Sequence, residues 1–207
     1  MEVLSGVLAA LGIGAALASA PGPVQAVILS EAGRGGPGRA LRVVAGAALT
    51  FGSLLLLLAL GLTVLAVGGA VLRVLQVAGG ALLIYLALDG YRAAGRAPMS
   101  AADARAGLPP LARGSLAVLL NPGAWLFLGA VAAPLRAAAT RDGGRVAAMV
   151  TALALEAGTA AGDAVLGVVA GAGLRRLGAR RTGWVQRGLA VLLGILGAWL
   201  VMTGFAG

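Results

Sequence analysis

The stretch Ala18-Ser19-Ala20-Pro21-Gly22-Pro23-Val24-Gln25 lies inside an apolar run long enough to cross a lipid bilayer. A later apolar run carries Leu119-Leu120-Asn121-Pro122-Gly123-Ala124-Trp125. Proline has no amide hydrogen, and its ring crowds the carbonyl four residues back, so each stretch should break its helix. By that rule the carbonyls of Leu17, Ser19 and Val118 lose their helical partners. In hydrocarbon such a carbonyl is costly unless protein, water or a ligand satisfies it. Two breaks in corresponding places of two halves therefore point to a transport site.

Composition supports the membrane setting. The 207 residues are 60% hydrophobic and 11% charged, with a mean hydropathy of +0.99. The chain has neither cysteine nor histidine, which excludes disulfides, thiol chemistry and imidazole relays and leaves no zinc site. The net charge is +9, and every basic residue is arginine. These arginines cluster between apolar runs, as orienting loop charges do, so the partner is a lipid bilayer and not nucleic acid. Residues 3–17 have the length of a signal-peptide core, but Glu2 is the only charge at that end and Pro21 follows Ala18-Ser19-Ala20 directly. A retained first span is expected.

Hydropathy and arginine punctuation predict an all-α polytopic protein of about six transmembrane helices. The expected spans are residues 3–29, 43–67, 71–91, 115–134, 147–171 and 185–202, with a tight turn at Gly68-Gly69. A single transmembrane domain, 1–207, would then consist of half-repeats 1–91 and 114–207 joined by a cytoplasmic loop, 92–113. Three spans per half is an odd number, so the halves would be inverted, with a Pro-broken helix opening each. The loops after the first, third and fifth spans carry twelve arginines against four on the other side. That asymmetry makes the richer side cytoplasmic and puts both termini outside.

Several residues are candidates for chemistry. Half-helices restarting at Pro23 and Pro122 would offer amide donors and a positive dipole end to a carboxylate. Freed carbonyls would hold an ammonium group, so the layout suits a small zwitterionic solute. The expected substrate-binding set is Pro21, Gly22, Pro23, Gln25, Asn121, Pro122 and Trp125. Asn121 can cap the second half-helix, contact the solute, or do both. Glu156 and Asp163 are close to two turns apart, so they share one helix face with Thr159. Acids inside a membrane are functional by default, and these two are the expected proton-coupling groups. Asp89, near Arg92, reads as a surface charge. Gly158-Thr-Ala-Ala-Gly162 and Gly167-Val-Val-Ala-Gly171 fit the small-xxx-small contact pattern. No metal site, cofactor motif or nucleophile–base pair is present, so no enzyme is expected.

Three motifs in order carry a family resemblance: Pro21-Gly22-Pro23, Ile84-Tyr85-Leu86 and Leu119-Leu120-Asn121-Pro122-Gly123-Ala124-Trp125. In size, span number and motif order the whole chain resembles the lysine exporter (LysE/RhtB) family of amino-acid translocators. The resemblance implies a secondary transporter in the bacterial cytoplasmic membrane that exports an amino acid or related metabolite. It also implies antiport with protons and a homodimer. Many members carry an aspartate after a glycine in the second span, where Gly52-Ser53 stands here, and a lysine after Asn-Pro, where Gly123 stands. Glu156 and Asp163 are the acids available to replace the first of these. Two rival readings stand beside export of an amino acid. One is a metal-ion exporter using hard oxygen ligands, and the other is a non-transporting membrane assembly or lipid-handling protein.

The orientation can be tested with a reporter fused to the carboxyl terminus. A reporter active only outside the cytoplasm should give signal, and one active only in the cytoplasm should be silent.

Overall fold

The computed structural model describes residues 2–61, 69–94 and 107–206, and all regular structure among them is helical. The first apolar run is two helices, α1 (Glu2–Ser19) and α2 (Pro23–Gly35), whose axes bend by 62°. Gly22 joins them in an extended conformation, and Pro23 takes the first helical position, where its missing amide costs nothing. Gly36, with φ 72, separates α2 from α3 (Pro37–Ala59). That left-handed conformation favours glycine because a Cβ would crowd the backbone. The connection expected between the spans 3–29 and 43–67 thus shrinks to one residue, because helix resumes at once with Pro37.

α4 spans Gly69–Ala93. The expected turn at Gly68-Gly69 lies partly outside the described residues, since Gly68 is not among them and Gly69 opens α4. α5 (Pro110–Leu119) begins inside the stretch expected to be loop, so Arg113 is helical. The second break follows, and then α6 (Pro122–Phe127), a π-helical turn (Leu128–Ala132) and α7 (Ala133–Arg176). α7 is interrupted by non-helical backbone at Gly143 and Gly144. The polar loop expected around Arg136 is therefore helix up to those two glycines. α8 runs Gly178–Ala206. Among the described residues, four helices are long and apolar enough to cross a membrane, or five when α1 and α2 count as one bent span.

Close backbone approach holds the helices together. α1 packs on α7, α4 on α8, and α3 on both α7 and α5. A Cβ on Gly46 of α3 would run into the Leu111 backbone of α5, and one on Gly114 of α5 would run into Val43 of α3. Gly80 and Gly197 meet the same way between α4 and α8. Lipid tails are as apolar as leucine, so tight van der Waals contact between small residues drives such association. The expected small-residue faces of α7 are used within the chain. Gly158 and Gly162 lie on α1, and Gly167 and Gly171 lie against the α2–α3 corner. They are not free to make a dimer contact.

Overpacking one of these crossings should destabilise the fold. Gly46→Ala should lower stability by about 1–3 kcal/mol, read as a fall in the thermal midpoint in detergent. Gly12→Ala, where an added methyl meets nothing within 4 Å, should leave the midpoint unchanged or raise it.

Candidate functional site

Both helix breaks open onto one cavity of about 230 Å³. The α1–α2 corner contributes Leu17, Pro21, Gly22, Pro23 and Gln25. α3 contributes Ala47, Ala48 and Phe51, and the second break contributes Val118, Asn121 and Gly123. α7 supplies Glu156, Thr159 and Asp163. Of the residues expected at a site, Pro21, Gly22, Pro23, Gln25, Asn121, Glu156 and Asp163 thus border one space. Pro122 and Trp125 do not. Pro122 is buried behind Asn121, and the Trp125 indole N–H turns back to donate to the Leu119 carbonyl at 2.8 Å.

The breaks are better satisfied than proline chemistry alone suggests. The Leu17 carbonyl accepts from the Ala20 amide at 3.1 Å, and the Val118 carbonyl from the Asn121 amide at 3.1 Å. Both helices tighten their last turn in this way, so these two carbonyls are not left without a partner as expected. The start of α6 is also closed. Asn121 Oδ1 accepts from the Gly123 amide at 3.0 Å, and the Asn121 carbonyl accepts from the Ala124 and Trp125 amides. Asn121 is therefore a helix cap in this structure, while still bordering the cavity. The start of α2 has no side-chain cap. Its early amides, on Val24 and Gln25, stand too near the helix start for a carbonyl one turn back. Donors for a carboxylate are thus found at the first break and not at the second.

The two acids differ in their partners. Asp163 is 3% exposed and accepts a hydrogen bond from Gln25 Nε2 at 3.2 Å. Both carboxyl oxygens of Glu156 are buried without a hydrogen-bond partner. A Cβ placed on Gly52 would lie 3.3 Å from Glu156 Cγ, so the missing side chain of α3 makes room for this carboxyl. Thr159, also at the cavity, donates to the Leu155 carbonyl at 3.0 Å. No basic side chain lines the cavity among the described residues. Two carboxyl groups without a nearby cation make it a place that favours positive charge.

A second polar cluster was not read from the sequence at all. Arg113 Nη1 meets Glu31 Oε1 at 3.0 Å, and Arg113 Nη2 meets Asp89 Oδ2. Arg34 Nη1 reaches Asp89 Oδ2 at 2.7 Å and Glu31 Oε1 at 3.3 Å, and Arg39 Nε reaches Glu31 Oε2. Asp89 is therefore part of an ion-pair network and not a surface charge. The one available signal was Glu31, a lone acid three residues before Arg34 in an otherwise arginine-rich stretch. Phe51, Ala47 and Ala48 gave no signal, because apolar residues in an apolar helix do not reveal which face meets a cavity.

Helical spans, broken main chain and an acidic cavity between them define a membrane transporter. The model of the LysE type translocator family matches residues 15–204. The chain belongs to that family: it is an integral membrane protein that transports amino acids or related compounds, and it is not an enzyme. No curated protein and no solved structure matches the chain.

The indole contact can be tested directly. Trp125→Phe keeps an aromatic ring but leaves the Leu119 carbonyl without its donor. It should cost about 1–3 kcal/mol, measured as a lower thermal midpoint in detergent.

Proposed function

We propose that this translocator exports a small amino acid or related metabolite from the cytoplasm, in exchange for protons, by alternating access around its two broken helices. The observation that carries this reading is the meeting of both breaks and both intramembrane acids at one cavity. Uncapped amides at the start of α2 suit the solute's carboxylate, and the partnerless Glu156 carboxyl suits its ammonium group. Glu156 or Asp163 then binds a proton when the solute has left. An acid that meets either a proton or an ammonium group, but not both, links the two fluxes.

The length of the chain supports six crossings. The stretch Pro122–Leu174 holds 53 residues, about 80 Å as one rod at 1.5 Å per residue. A bilayer core of about 30 Å takes only part of that, and the interruption at Gly143-Gly144 divides it into two passes. With the bent α1–α2 pair as one span, the two halves have three crossings each, in opposite orientation. The arginine asymmetry supports cytoplasmic placement of the α2–α3 and α4–α5 connections in the cytoplasmic membrane, with both termini outside.

The position of Glu156 also supports its role. Family members that carry an acid in the second span would have it near Gly52, and here the Glu156 carboxyl fills the space beside that glycine. The acid is supplied from α7 in place of α3.

Counterflow in proteoliposomes tests this reading. Amino-acid exchange should fall about tenfold or more in Glu156→Gln, the scale of one lost charge-assisted contact. Asn121→Ala should also weaken it. Gly52→Asp combined with Glu156→Ala should recover part of the loss. Full activity in Glu156→Gln would remove this residue from the mechanism.

A further inference from the structure

α2 and α5 share a layout that the cavity alone does not explain. Each is a short helix with a break at one end and a buried charge at the other. α2 leaves its break at Pro23 and carries Glu31 eight residues on. α5 carries Arg113 eight residues before Asn121. Eight residues of helix is about 12 Å, so the charges form a layer roughly one such length from the cavity, toward the arginine-rich connections. Within it Glu31 is 1% exposed and Arg113 2%, and they meet at 3.0 Å. Arg34 of α2, Arg39 from the start of α3 and Asp89 from the end of α4 complete the cluster, and Arg113 Nε also donates to the Leu108 carbonyl at 2.7 Å.

Burying opposite charges seldom adds net stability over apolar packing of the same shape, while removing one partner is costly. Such a network is better suited to specifying one arrangement of helices, as a switch does, than to adding general stability. The helices it joins are anchored differently: α5 lies chiefly on α3, whereas α2 packs on α7, α3 and α8. α5 is held to α3 by backbone contact at Gly46 and Gly114. α2 is bounded by glycine corners at both ends, Gly22 and Gly36, the second with positive φ. Short corners that absorb dihedral change are where hinges lie.

We infer that the Glu31–Arg113–Asp89 network is a latch that shuts the cavity from the arginine-rich face, and that its release parts α2 from α5. This rests on the alternating-access reading above. α2 turns about Pro21-Gly22-Pro23 while α5 stays with α3. The structure is then the state closed on that face.

The absence of cysteine from the chain makes the test direct. Ala48→Cys places one thiol at the cavity wall. A membrane-impermeant, charged thiol reagent is applied to right-side-out and to inside-out vesicles. With the latch intact, labelling from the arginine-rich face should be slow. Adding Arg113→Gln should raise that rate about tenfold, the change expected when closure loses about 1.4 kcal/mol, with no rise from the other face. Asp89→Asn, at the half-buried edge of the cluster, should raise it in the same direction and serves where Arg113→Gln does not fold. Unchanged labelling in a folded variant overturns the latch, and so does an equal rise from both faces, which reports general loosening. Labelling does not require a transported solute. A one-sided rise without amino-acid exchange would keep the latch and overturn the proposed function instead.

Discussion

In a bilayer every main-chain N–H and C=O must find a partner inside the protein or in water it encloses. The rest of this structure follows from how that demand is met at two places where proline forbids a continuous helix. At the first, the chain bends by 62° and closes the Leu17 carbonyl with the Ala20 amide. At the second, the Asn121 side chain, the Asn121 carbonyl and the Trp125 indole between them close the strands of the break. The corners that result cannot pack like rods, and the space they leave is the cavity. The asymmetry between the breaks matters: the second satisfies itself, while the first leaves donors facing that space.

Glycine makes the arrangement compact enough to enclose anything. Where helices cross at Gly46 and Gly114, or at Gly80 and Gly197, main chain touches main chain. With no hydrophobic drive between helices in lipid, close contact of this kind supplies most of the attraction. The same residue type does a different job at Gly52, where a missing side chain makes room for the Glu156 carboxyl. A glycine-rich sequence does not distinguish these uses. Only the neighbour across the crossing does.

The polar groups separate into two layers, one at the cavity with its acids on α7 and one at the ion-pair network joining α2, α3, α4 and α5. One layer surrounds the cavity and is acidic, with a single amide, that of Gln25, committed to Asp163. The other lies a few turns away and is balanced, with Glu31 and Asp89 shared among Arg34, Arg39 and Arg113. α2 borders both layers, with Gln25 at the cavity and Glu31 in the network.

The membrane class, the two breaks, the seven-residue stretch around Asn-Pro and the pair of acids on one face of α7 were all legible in the residues. All of these are local: run length, proline's missing hydrogen and helical periodicity need no tertiary information. The sequence by itself misjudged what depends on distant partners. Asp89 reads as a surface charge and Arg113 as a loop charge because their partners, Arg34 and Glu31, are far away in the chain, and the carbonyls of Leu17 and Val118 read as free because the tightened turns that close them are not written in the residues. Trp125 read as a wall of the cavity, yet one hydrogen bond turns it away. Tertiary structure alone decided which acid has a partner and which has none, because burial and hydrogen bonding are properties of a place in three dimensions and not of a position along the chain.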